Sequence, residues 1–203
     1  GNYFDTFVNF DFDYDKRNQR FRPSDGFRSS YNLDLPLISD NYTLTNTYNY
    51  KYYTSLYENN ISNISLLLKS AVSITGDDIK LTERLLIPSS RLRGFETGKV
   101  GPKDGNDFIG GNYITAVNFT SNLPQVFPTA QNLDFALFLD AANVWGVDYD
   151  SKINDSSALR SSMGLGIDWY TPIGPLSFSF SQHITKKSTD KTETFRFNLG
   201  TTF

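Results

Sequence analysis

Residues 193–203 read Glu193-Thr194-Phe195-Arg196-Phe197-Asn198-Leu199-Gly200-Thr201-Thr202-Phe203. In an extended chain successive side chains point to opposite sides, so Phe195, Phe197, Leu199 and Phe203 fall on one face. Arg196, Asn198, Gly200 and Thr202 fall on the other. The apolar face suits lipid and the polar face a wet lumen, which predicts the closing strand of an outer-membrane β-barrel.

The same alternation recurs upstream. Val8, Phe10, Phe12 and Tyr14 alternate with Asn9, Asp11 and Asp13, and Phe27, Tyr31, Leu33 and Leu35 with Arg28, Asn32 and Asp34. Ile64, Leu66, Leu68, Val72 and Ile74 repeat it, as do Leu133, Phe135, Leu137 and Leu139, then Met163, Leu165, Ile167 and Trp169, then Leu176, Phe178 and Phe180. Nine strands are predicted, near 6–14, 27–36, 42–53, 63–74, 111–121, 132–141, 160–170, 175–183 and 193–203. Most have about the ten residues that a tilted membrane strand requires. The fold class is therefore all-β, an antiparallel transmembrane barrel.

Composition agrees. Aromatic residues make up 15% of the 203, yet the mean hydropathy is −0.40. No stretch approaches the roughly 18 apolar residues of a membrane-spanning helix. A barrel strand turns every second residue to water, so low hydropathy is compatible with spanning. Cysteine is absent, which removes disulfides and thiolate chemistry. A net charge of −3 without a basic run leaves no electrostatic footprint for nucleic acid.

Connections differ by side. Pro172-Ile173-Gly174-Pro175 is a tight turn, whereas Gly146 to Leu159 and Thr75 to Gly110 are long. Bacterial barrels keep short turns in the periplasm and long loops outside. Counting back from the last strand puts 75–110 outside and the 15–26 turn inside. Nine antiparallel strands cannot close without one parallel pair, and bacterial single-chain barrels have even strand numbers. An open edge in lipid leaves N–H and C=O groups unpaired. The chain is thus expected to be the C-terminal part of a larger barrel, with strands and any export signal upstream.

The longest loop and the residues just after it hold Arg91-Leu92-Arg93-Gly94-Phe95, then Gly101-Pro102, then Gly110-Gly111-Asn112. This resembles the Val-Arg-Gly-Phe motif and following Gly-Gly-Asn of the BamA family of outer-membrane protein assembly factors, with Leu92 in the valine's place. Similar matches run through Asp15-Lys16-Arg17-Asn18 with Phe21, Pro23 and Gly26, Leu139-Asp140 with Asn143-Val144-Trp145, Pro172-Ile173-Gly174-Pro175-Leu176, and Phe195-Arg196-Phe197-Asn198-Leu199-Gly200. The resemblance covers the C-terminal nine strands of the family's sixteen.

It implies a loop folded back into the lumen, with Arg93 meeting Asp140 on the inner wall beside Asp134, and Gly94 permitting close approach or a positive φ. The family often has a second acid where this chain has Thr120, so the lock rests on Asp140 alone or borrows Asp134 or Asp168. It further implies assembly and insertion of barrel proteins, without cofactor or bond chemistry, by edge templating at a seam built from Phe195–Phe203. Gly200 is expected at a kink or frayed end of that strand. The implied partners are nascent outer-membrane proteins, accessory assembly lipoproteins and outer-membrane lipid. The alternatives are a two-partner secretion transporter of the same superfamily, a passive porin-like or adhesion barrel, and, more remotely, a barrel hydrolase.

Other residues read as structure. Ser177, Ser179, Ser181 and His183 share one strand face, which is ordinary polar lining rather than a hydrolase. Asp104-Gly105-Asn106-Asp107 lacks the full calcium-loop spacing. Asp11, Asp13 and Asp15 are lumen acids. Gly164 and Gly166 ease strand curvature. Tyr48, Tyr50, Tyr52, Tyr53, Tyr57 and Trp169 include interfacial belt residues rather than a ligand cage.

Overall fold

The computed structural model describes residues 6–39, 42–123, 132–154, 157–172 and 174–199. Nine strands form one sheet in the order β1 (Thr6–Asp15), β2 (Gly26–Ile38), β3 (Thr43–Thr54), β4 (Ser62–Ser73), β7 (Tyr113–Asn122), β8 (Leu133–Trp145), β9 (Arg160–Thr171), β10 (Gly174–Thr185) and β11 (Phe195–Leu199). Every neighbouring pair is antiparallel. Between β4 and β7 lies the long loop, with two 3₁₀ turns (Leu81–Glu83 and Ser89–Arg91) and a two-residue hairpin, β5 (Lys103–Asp104) and β6 (Asp107–Phe108). Among the described residues β1 and β11 are the two edges, unpaired with each other. Gly200 and Phe203, and with them the expected kink, lie outside the described residues.

Burial runs opposite to that of a water-soluble sheet. Phe12, Ile64, Leu137, Leu139, Met163, Phe180, Phe195 and Phe197 are exposed, while Asp140, Ser162, Asp168 and Ser177 are buried. An apolar outer band around a polar interior is what a bilayer selects. Outer-face aromatics pair across strands: Phe178 lies 5.3 Å from Phe197 and Tyr113 stacks on Trp145 at 5.8 Å, measured between ring centroids.

The inner face is not uniformly wet, as the alternation alone had implied. Along β7 its inward residues pass from Ile114 and Ala116 to Asn118 and Thr120, and along β8 from Val144 and Ala142 to Asp140. The apolar end is covered by Ile79, Leu85, Ile87, Leu92, Phe95 and Val100 of the long loop, which share a core with Leu67, Ala71, Ile114, Ala116, Ala142 and Val144. Each loop side chain in this core, an Ile, Leu, Phe or Val, contributes about 1.5–3 kcal/mol on burial. Apolar packing therefore holds the loop in, and its polar contacts set where it sits. Of these tyrosines Tyr53 lies off the belt, buried on the inner face beside Lys51, whose ammonium lies 5.2 Å from its ring.

The long loop, residues 146–154 with 157–159, and residues 186–194 all emerge at one end of the sheet, and residues 16–25 turn at the other.

Candidate functional site

Arg93 sits where the loop crosses the inner wall. Its Nε donates to Asp140 Oδ2 and its Nη2 to Asp140 Oδ1, both at 2.7 Å, and its own backbone N–H reaches Oδ2 at 3.0 Å. The pair is bidentate and closed to solvent, with side-chain exposures of 3% and 0%. The guanidinium carbon lies 3.6 Å from the centre of the Phe138 ring, two residues before Asp140 on the same face. A Cβ on Gly164 would come within 2.6 Å of that ring, so the glycine clears the space in which Phe138 carries the arginine.

Neighbouring groups complete the cage. Asn118 donates to Asp140 Oδ1 at 2.8 Å and to the Arg91 carbonyl at 2.9 Å, so one amide ties the wall to the loop. Thr120 Oγ1 lies 3.4 Å from Arg93 Nη2, a neutral contact where the family often has an acid. Ser162 on β9 donates to the Arg93 carbonyl. Arg91 reaches Ser65 at 2.8 Å and Asn49 at 3.0 Å. Burial pushes the Arg91 guanidinium below its ordinary value, opposed by the charge of Asp140.

Gly94 follows with φ +87°, and a Cβ there would stand 3.0 Å from Ser181 Cβ and 3.2 Å from Ser162 Cβ. The backbone turns left-handed while pressed on the wall, which suits glycine alone. Phe95 then enters the loop core at 1% exposure. The two other acids have partners of their own. Asp134 pairs with Arg22 at 2.9 Å, and Asp168 accepts from Ser177. Asp140 is the nearer because it shares the level of Asn118 across the β7–β8 ladder, whereas Asp134 is six residues further along β8.

Three further anchors had escaped the sequence reading. Arg84 binds Asp148, the Ile79 carbonyl at 3.1 Å and Asn112 at 3.1 Å, and Asp148 accepts the Ile79 N–H at 3.1 Å. Burial opposes the charge on Asp148, yet the Ile79 amide, Arg84 and Asn112 hold its carboxyl below the ordinary value. Arg160 pairs with Asp190 in a second buried salt bridge, at 2.9 Å, and donates to Asn143 at 2.7 Å. Arg196, on the inward face of β11, donates to the carbonyls of Ser89 and Phe95 and to Glu193. The only sequence signal for Arg160 and Arg196 was a charge at an inward position at a strand's start.

The lumen acids Asp13 and Asp15 are held by Arg28 and Arg17, both at 2.7 Å. Asp104 and Asp107 close the β5–β6 hairpin. Of the terminal-strand residues, Phe195, Phe197 and Leu199 face outward, while Asn198 shares the inward face with Arg196.

The Omp85 superfamily domain model matches residues 1–203. The chain is 28% identical over 145 residues to the outer membrane protein assembly factor BamA of Neorickettsia risticii, covering 69% of this chain and 19% of that protein. It is 33% identical over 143 residues to BamA of Neisseria meningitidis serogroup B, covering 55% and 17%. The fold matches the crystal structure of BamA from Haemophilus ducreyi lacking POTRA domains 1–3, with TM-score 0.84 and 26% identity, over 93% of this chain and 41% of that one. The chain thus spans under a fifth of either sequence relative. With its full length matched to the family's domain, it belongs to the Omp85 superfamily.

Proposed function

We propose that this chain is the C-terminal nine strands of a sixteen-stranded outer-membrane barrel, and that the whole protein assembles and inserts other β-barrel proteins into the bacterial outer membrane. Seven further strands and periplasmic repeat domains stand upstream in this reading. The observation that carries it is the inward loop seated by Arg93 on Asp140, in a fold that matches BamA at TM-score 0.84. The exposed apolar band and the two edges, unpaired among the described residues, support a membrane barrel whose remaining strands lie elsewhere in the protein.

The work done is physical. The edge strand β11 offers backbone N–H and C=O groups to an incoming strand, which adds by β-augmentation, while the seated loop fixes the wall beside it. Nascent outer-membrane proteins are the clients, accessory lipoproteins and lipid the partners, and neither cofactor nor covalent step is invoked.

Depletion of the full-length protein in its host, with the outer-membrane proteome quantified, tests this. A broad fall in unrelated barrels, with their unfolded forms accumulating in the periplasm, is expected. Loss of a single secreted passenger with the other barrels intact would assign the protein to two-partner secretion instead.

A further inference from the structure

We propose that Arg196 is a positioning residue that couples the seated loop to the edge strand β11, so that the loop governs how readily that edge comes free. The idea extends the assembly reading, but it stands on a separate set of contacts. The loop does more than touch the wall at Asp140. Its residues 94–99 lie antiparallel to 190–193, the segment leading into β11. Glu193 N donates to Gly94 O at 3.2 Å, Glu96 N to Lys191 O at 3.0 Å and Lys191 N to Lys99 O at 3.0 Å, with a bridge between Phe95 and Thr192. The loop thus acts as a short extra strand on the approach to the edge.

Arg196 carries this union into β11 itself. Its Nη1 donates to the Ser89 carbonyl and its Nη2 to the Phe95 carbonyl, so one guanidinium spans the loop on both sides of Arg93. Nε holds Glu193 and keeps the plane aimed at the loop. Asp140 and Ser162 belong to β8 and β9, each paired on both sides. β11 is different: β10 is its one strand neighbour among the described residues, over five paired positions. For β11 to swing away from the loop, Arg196 must release both carbonyls, while the Arg93–Asp140 pair need not move. A planar guanidinium suits two divergent carbonyls, and a lysine ammonium cannot span them in the same way.

Hydrogen exchange by mass spectrometry on the full-length protein in lipid nanodiscs tests this. Arg196→Ala is expected to speed exchange of 195–199 by about tenfold or more, as losing charged hydrogen bonds implies, while 160–171 keeps its wild-type rate. Arg196→Lys should fall between the two. Should the alanine variant fail to insert, the lysine variant decides alone. Unchanged exchange in 195–199, or an equal rise in 160–171, overturns the coupling. The readout is indifferent to whether the protein inserts others, so failure of the assembly reading and failure of the latch are told apart.

Discussion

Arg93, with 3% of its side chain exposed, is met by Asp140, with none exposed, from two directions while the Phe138 ring covers its face. Removing one member of such a pair costs far more than the pair itself contributes, about 3–5 kcal/mol, because the survivor stays buried and uncompensated. Arg93→Ala and Asp140→Asn in the full-length protein should each destabilise the barrel on that scale and impair assembly. Heat-resistant mobility on gels and growth are the measures, and both unchanged in both variants would refute the role. The double variant should cost less than the sum, since it leaves no lone charge. Gly94→Ala is expected to cost about 1–3 kcal/mol, because its φ is +87° and Ser181 and Ser162 crowd the new methyl. Urea titration of folded protein in detergent measures it. Placing Ser181→Gly beside it should recover the crowding part and leave the backbone part.

At the scale of the element, the long loop is held by its apolar core and aimed by polar anchors at its two flanks, Arg84–Asp148 and Asp190, which Arg160 holds and which accepts the Gly101 N–H at 3.3 Å. Asp148 has a lowered folded pKa, so its support is fully present above the ordinary carboxylate range, near 4. It is lost as pH falls through the lower folded value. The Ile79 amide, which Asp148 accepts, reports this directly. In Asp148→Asn its exchange protection should drop at pH 7, and the gap from wild type should close once acid has neutralised the native carboxyl. A gap that persists unchanged at acid pH would show that charge is not the cause. Strands were legible because apolar residues at alternate positions mark the outer face of each, from Val8 to Leu199. The inner face was legible only where it stays polar. Ile114, Ala116, Ala142 and Val144 blur the period because the loop, not water, lies over them, and no local pattern announces a partner from a distant part of the chain. Arg93 and Asp140 were reachable through family resemblance, whereas Arg196 and Asp190 were not, since contacts between a loop and a strand end carry no periodic signature.

For the whole molecule, the decisive quantity is the edge. β1 pairs with β2 over ten residues and with nothing on its other side among the described residues, and β11 stands likewise at the far end. Along such a strand every second residue turns its N–H and C=O outward, which leaves about ten unpaired groups on β1. Each costs several kcal/mol in hydrocarbon, so the total reaches tens of kcal/mol. Folded proteins are stable by only about 5–15 kcal/mol. The nine strands alone therefore cannot rest in a bilayer as an open monomeric sheet. They must pair with a second copy, close in a non-native way or aggregate. Refolded into liposomes, residues 1–203 should give crosslinked dimers or higher species through cysteines placed singly on β1 or β11, in a chain that has no cysteine of its own. They should show no ability to insert a test barrel. A monomer at all protein-to-lipid ratios, with β1 amides as protected from exchange as those of β8, would mean that the nine strands close on themselves, and the expected pairing between copies would be refuted.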